Sequence, residues 1–219
     1  MKSRLLAFSL VELLVVIAVL AILLAVGASA LSQGGNSLSL TTTAAHVQGI
    51  LDEGRQIALS RNKYVQVRFL RKAGEDRYKA ISLHVGDSPY YGTTAEYDTW
   101  EALGQLRQQG RTSFLPQTIT IPQGPQTSKL LADLAADTDF ARTGTSKISG
   151  QSYEWVAFYF RPNGITDYQM LNGLPYSGTN AFFSLVIENE FAQSTPDLPK
   201  NFSTLTLSPS TGRPVVFRP

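Results

Sequence analysis

Residues 1–31 read MKSRLLAFSLVELLVVIAVLAILLAVGASAL, and this stretch decides how the rest of the chain is read. Residues 13–31 carry no charge. At about 1.5 Å of rise per residue, a helix of that length nearly spans a hydrocarbon core of ~30 Å. Lys2 and Arg4 precede the run, and no comparable basic cluster follows closely. The bias of basic residues towards the cytoplasmic side therefore places the N-terminus inside and the remainder outside. Glu12 is the anomaly. A carboxylate at the centre of a spanning helix costs about 2.5–3.5 kcal/mol, and less near its edge. Such a group needs a partner, and a free α-amino group created nearby would be a suitable one. Two plainer readings compete. Ala28-Ser29-Ala30 has the A-x-A pattern of a secretory signal, although the apolar run exceeds the usual ~7–15 residues. A simple signal anchor would leave Glu12 without a role.

Past the apolar run, SQGGN at 32–36 is a polar, Gly-containing break that could loosen the helix. Helical periodicity then resumes: Val47, Ile50, Leu51, Ile57 and Ala58 share one face, and Asp52, Arg55, Gln56 and Ser60 lie mostly elsewhere. Asn62 is a sensible stop. Residues 64–70 (YVQVRFL) alternate, with Val65, Val67 and Phe69 on one face, and residues 78–85 form a second strand after a turn at Gly74-Glu75-Asp76. Further strands are expected at 118–121, 154–161, 182–188, 204–207 and 214–217, and a short helix over 128–140. Residues 86–99 and 189–200 read as loops. Pro162-Asn163-Gly164 and Ser210-Thr211-Gly212 are turn-formers, because Pro presets φ and Asn or Gly tolerates positive φ.

The chain has 219 residues, 43% hydrophobic and 16% charged, which is a folding composition and not a disordered one. What remains after the apolar helix suits one domain with its own core. The absence of cysteine excludes a disulfide framework and a thiolate metal site. The formal charge of +2 belongs to Lys2 and Arg4, since without them the 19 basic residues fall to 17, equal to the 17 acidic ones. A neutral body has no general attraction for nucleic acid or an anionic membrane surface.

The run Ala7-Phe8-Ser9-Leu10-Val11-Glu12-Leu13-Leu14 resembles the signal of type IV prepilins and pseudopilins. In that family a short basic leader ends in Gly, a membrane peptidase cuts before a Phe and methylates the new amine, and a Glu is fifth in the mature chain. The resemblance implies a cut between Ala7 and Phe8, methylation of Phe8, and an assembly role for Glu12, paired with the N-terminal amine of a neighbouring subunit. Desolvated, such a pair acts more as a registration device than as a net source of stability. Ala7 stands where the family has Gly. The body is similar to the GspH/FimT group of minor pseudopilins and minor pilins. Their helix-end pattern corresponds to Gly54-Arg55-Gln56-Ile57-Ala58-Leu59-Ser60-Arg61-Asn62, followed by Val65-Gln66-Val67. Their F-x-P-x-G element corresponds to Phe160-Arg161-Pro162-Asn163-Gly164, and their terminal T-G-R turn to Ser208-Pro209-Ser210-Thr211-Gly212-Arg213. The pattern also resembles the pilin-like cassette protein D group of Verrucomicrobia.

The implied fold is α+β: a long N-terminal helix, with a transmembrane half and an amphipathic half, packed on an antiparallel β-sheet domain. The implied division is a leader at 1–7, a transmembrane and assembly helix at 8–31, and a periplasmic globular domain at 32–219. The implied protein is a structural subunit of a type II secretion or type IV pilus-like filament. It sits in the bacterial inner membrane with its N-terminus cytoplasmic before it enters the filament. Its partners would be a prepilin peptidase, other pilin or pseudopilin subunits and inner-membrane lipid. FimT-type resemblance also implies an alternative, DNA binding during uptake, with Arg213 and Arg218 as contacts. A signal-anchored exported protein is the other alternative.

No catalytic constellation is legible, and no enzyme activity, cofactor or metal is expected. His46 and His84 have no paired-ligand spacing, and neither a nucleophile elbow nor a phosphate loop occurs. Ser60-Arg61-Asn62-Lys63 matches S-x-x-K and Arg142-Thr143-Gly144 resembles K-T-G, but the Ser closes a helix instead of opening one and the middle motif is missing. Tyr153, Trp155, Phe158 and Phe160 read as core. Tyr90, Tyr91 and Trp100 lie in loop-like sequence suited to core or to an interface. Arg68, Arg71, Lys72 and Arg77 read as a solvated face.

Overall fold

A computed structural model describes residues 10–87, 105–137, 142–171, 174–175, 181–194 and 198–218. Helical backbone runs through α1 (Leu10–Arg61), and the chain divides into two compact units, Met1–Leu38 and Ser39–Pro219. In the second unit follow β1 (Tyr64–Lys72), β2 (Arg77–Gly86), β3 (Leu106–Phe114), β4 (Ile119–Pro122), α2 (Lys129–Ala136), β5 (Thr143–Ile148) and β6 (Gln151–Phe160). A 3₁₀ turn (Asp167–Gln169), a small hairpin of β7 (Met170–Leu171) and β8 (Leu174–Pro175), then β9 (Phe182–Ile187), α3 (Glu188–Ser194), β10 (Phe202–Leu207) and β11 (Pro214–Phe217) complete it.

Nine strands form one sheet in the order β11-β10-β9-β4-β2-β1-β6-β5, with β3 also on β2, and every pairing is antiparallel. Strand β2 is shared: its start pairs with β4 and the rest with β3. The alternation of β1 sends Val65, Val67 and Phe69 to one face, where they meet Leu40, Ala44, Val47, Leu51 and Ala58 of α1. Those helix positions fall three, four or seven residues apart, the spacing of one helical face. Phe69 packs edge-on to Phe183 at 5.0 Å between ring centres, which ties β1 to β9. Helix α1 ends as its sequence dictates. Asn62 takes a φ of 51°, and the Lys63 N–H donates to the Ala58 carbonyl at 3.3 Å, the wrapped C-terminal bond that Asn and Gly permit.

The expected fold requires correction. Among the described residues no helix is long and apolar enough to cross a membrane, so the transmembrane half of the expected fold is not found. Polar residues along α1 weigh against a span: Glu12 stands near its described start, and Ser37, Ser39 and Thr41–Thr43 follow further on. The body is better described as a mostly antiparallel nine-stranded sheet with short helices. SQGGN at 32–36 does not interrupt helical backbone. Residues 189–200, expected as loop, include most of α3, and β3 and β5 were not expected at all.

A second correction concerns the sheet's other face. Leu70, Ala80, Leu106, Trp155, Ala157 and Tyr159 form a separate apolar cluster there. Arg68 lies in it with 1% of its surface exposed, not on a solvated face. Arg71 and Arg77 are half-buried, and only Lys72 of that group is exposed as expected.

Candidate functional site

Glu12 stands in the first described turn of α1. The apolar residues described along this stretch are exposed: Leu10 is 81% exposed, Val16 48%, and Leu13, Leu14, Ile17, Leu20 and Leu24 fall between. Ala7 and Phe8 lie outside the described residues, as do Tyr90, Tyr91 and Trp100.

The three sequence patterns of the body converge in space. Gly54 of α1 faces Leu83 and Phe160, and a Cβ there would sit 3.2 Å and 3.4 Å from their side chains. Leu59 packs on Gly164, and the Arg55 Nε donates to the Thr211 carbonyl at 2.8 Å. The Thr166 N–H and Oγ1 both donate to the Pro209 carbonyl, at 3.2 and 3.0 Å. Gly212 closes the turn with a φ of 66° and its N–H on the Ser208 carbonyl at 2.8 Å. A Cβ on Gly212 would collide with the Gly164 carbonyl oxygen. The helix end, the Phe160–Gly164 turn and the last hairpin thus form one joint, which explains why small residues stand at 54, 164 and 212.

Beside this joint lies an ionic lock absent from the sequence reading. The Arg142 Nε donates to Asp137 at 2.5 Å and its Nη1 to Asp167 at 2.7 Å, while the other Asp167 oxygen accepts the Tyr159 N–H at 2.7 Å. All three charged side chains are buried. Burial works against the Arg142 charge, but Asp167 and Asp137 more than offset it and raise its pKa. Arg142 therefore serves the fold, and Ser60, which is exposed, closes α1 instead of opening a buried helix as S-x-x-K would demand. No sequence rule links Asp137, Arg142 and Asp167 before their segments are known to meet.

Arg213 and Arg218 are both exposed. Arg218 is engaged, donating to Thr41 and, at 3.2 Å, to Asn201 Oδ1. A phosphate contact through it would first have to displace those bonds. Exposed His46 shares a hydrogen bond with Ser113 Oγ at 2.8 Å, whereas His84 is buried beside Ser82 at 3.1 Å. Among the described residues no group of acidic, His or Cys side chains is arranged to hold a metal ion. Comparisons with protein families, with curated proteins and with solved structures found no match.

Proposed function

We propose that this chain is a pilin-like filament subunit of the minor pseudopilin type. Its helical N-terminal stretch packs among the like stretches of neighbouring subunits, and its sheet domain faces outward. One observation carries the reading: the apolar side chains of residues 10–24 are exposed on every side of α1. Burying a Val or Leu side chain fully is worth about 1.5–3 kcal/mol, so a bundle of such helices gains strongly per copy. A monomer rarely exposes a contiguous apolar patch of this size without a partner.

Glu12 sets the register of that bundle. The pairing that fixes the alignment is between its carboxylate and a cation of the next subunit, the amine of a processed Phe8. Cleavage between Ala7 and Phe8 by a prepilin peptidase is the step that creates it. The protein so described resides at the inner membrane before assembly and in the filament afterwards, and it carries out no catalysis.

Replacement Glu12→Val tests the register. It removes the carboxylate and keeps the helix apolar, so the sheet domain stays folded while incorporation into filaments falls by about tenfold or more, as losing one charged partner implies. Unchanged incorporation and unchanged secretion or pilus function would remove Glu12 from the mechanism.

A further inference from the structure

Asn163 is exposed at the joint between the end of α1 and the last hairpin, and Gly164 follows it. The Gly164 N–H donates to the Arg161 carbonyl at 2.7 Å, so Arg161 to Gly164 form a β-turn with Asn163 in its third place. The φ of Asn163 is not positive, which makes the turn type I, with a ψ of about 0° at that place. Three further contacts fix the turn. Asn163 Oδ1 accepts the Ile165 N–H at 3.2 Å, and the Arg161 N–H donates to the Ile165 carbonyl at 2.8 Å. Gly164 is held between Leu59, which covers it, and Gly212, which stands against its carbonyl oxygen.

An Asn followed by Gly is prone to deamidation, because Gly has no side chain to hinder attack by its own nitrogen. In that reaction the Gly164 nitrogen attacks Asn163 Cγ. The new N–C bond forms as the Cγ–Nδ2 bond breaks, and Nδ2 leaves as ammonia with the proton of the Gly164 amide. Water then opens the succinimide at either carbonyl and leaves aspartate or isoaspartate. Ring closure requires the Gly164 nitrogen to swing round beside the Asn163 Cβ, far from a ψ of about 0°.

We propose that Asn163 is a self-modification site gated by the joint: it keeps its amide while the joint is closed and loses it when the joint opens. Rotation about the Asn163 ψ takes the Gly164 N–H off Arg161, breaks the Ile165 bond to Oδ1 and draws Gly164 from under Leu59. Opening of this one turn is enough, and the core need not unfold. Conversion is one-way. Either product adds a negative charge, and isoaspartate also adds a carbon to the main chain before Gly164. The product therefore records that the joint has opened. The sequence holds a second Asn-Gly pair, Asn172-Gly173, which lies outside the described residues and serves as the comparison.

The test incubates the full chain in detergent micelles at mildly alkaline pH, either folded or in unfolding urea. Cleavage after Phe160, Tyr168 and Tyr176 places Asn163 and Asn172 in separate peptides, and mass spectrometry follows the conversion of each amide to the acid. Asn163 converts at least about tenfold more slowly in the folded chain than in urea. Leu59→Ala, at a position 43% exposed and outside the buried core, uncovers Gly164. In that folded variant Asn163 converts at least about threefold faster than in the parent chain, while Asn172 keeps its rate. The proposal is overturned if Asn163 converts as fast in the folded chain as in urea. It is overturned equally if Leu59→Ala leaves the Asn163 rate unchanged, or speeds Asn163 and Asn172 alike.

Discussion

Residues 10–24 and residues 40–58 are both helical and both rich in apolar side chains, yet they differ completely in what covers them. Leu40, Val47, Leu51 and Ala58 are fully buried, while Leu10 to Leu24 are exposed throughout. The later stretch separates its polar and apolar residues, so one face finds the sheet and the other finds water. In the early stretch apolar residues surround the helix, which the sheet could cover on one side at most. The contrast separates two roles for one kind of residue. Apolar positions in the later stretch hold the domain together, and those in the early stretch are left exposed.

The largest expected effect follows for the buried stretch. Leu51→Ala should cost the domain about 2–5 kcal/mol, because the core around it cannot close fully over the lost volume. Denaturant unfolding followed by circular dichroism measures this, and a cost below 1 kcal/mol would break the comparison from the buried side. Gly212→Ala comes next. Its positive φ and its close approach to Gly164 should make the substitution cost about 1–3 kcal/mol in the same assay. It sharpens the comparison by asking whether the joint at the end of α1 is as necessary as the apolar face. The smallest effect on stability belongs to Val16→Asp. An exposed position away from any partner should change domain stability by less than about 0.5 kcal/mol. The same variant should be excluded from filaments, because an unpaired carboxylate cannot enter an apolar bundle. Loss of domain stability in Val16→Asp would blur the two roles.

The faces of β6 show how much was legible in the sequence. Its run Trp155-Val156-Ala157-Phe158-Tyr159-Phe160 is apolar at successive positions, which is the pattern of a strand covered on both sides. Phe158 and Phe160 were readable as core, and Trp155 is core too, though in the second cluster. Once β6 is recognised as covered on both sides, its neighbour β1 must be as well, and Arg68 then follows as buried. Strand β3 was hidden for a different reason. Its residues Arg107-Gln108-Gln109-Gly110-Arg111 have no apolar alternation, since it is held largely by ladder bonds to β2, and Gly110, with φ of 70°, sits at an irregular register. Strand β5 was equally polar, but Ser149-Gly150, both at positive φ, form the two-residue turn that joins it to β6 and could have revealed the hairpin. The end of α1 and the strands β1, β2 and β11 were read nearly to their observed limits, because period and stop signals agree there. Glu12 was legible as an anomaly of charge. The meeting of the helix end, the Phe160–Gly164 turn and the last hairpin was not, since those segments are distant in sequence.

The most direct measurement of the filament function is the mass of the mature N-terminus in cells with and without prepilin peptidase. A pilin-like subunit should begin at methylated Phe8 when the enzyme is present and keep its leader when it is absent. A chain that begins at Leu31, or that retains Met1-Lys2-Ser3 in both strains, would contradict it.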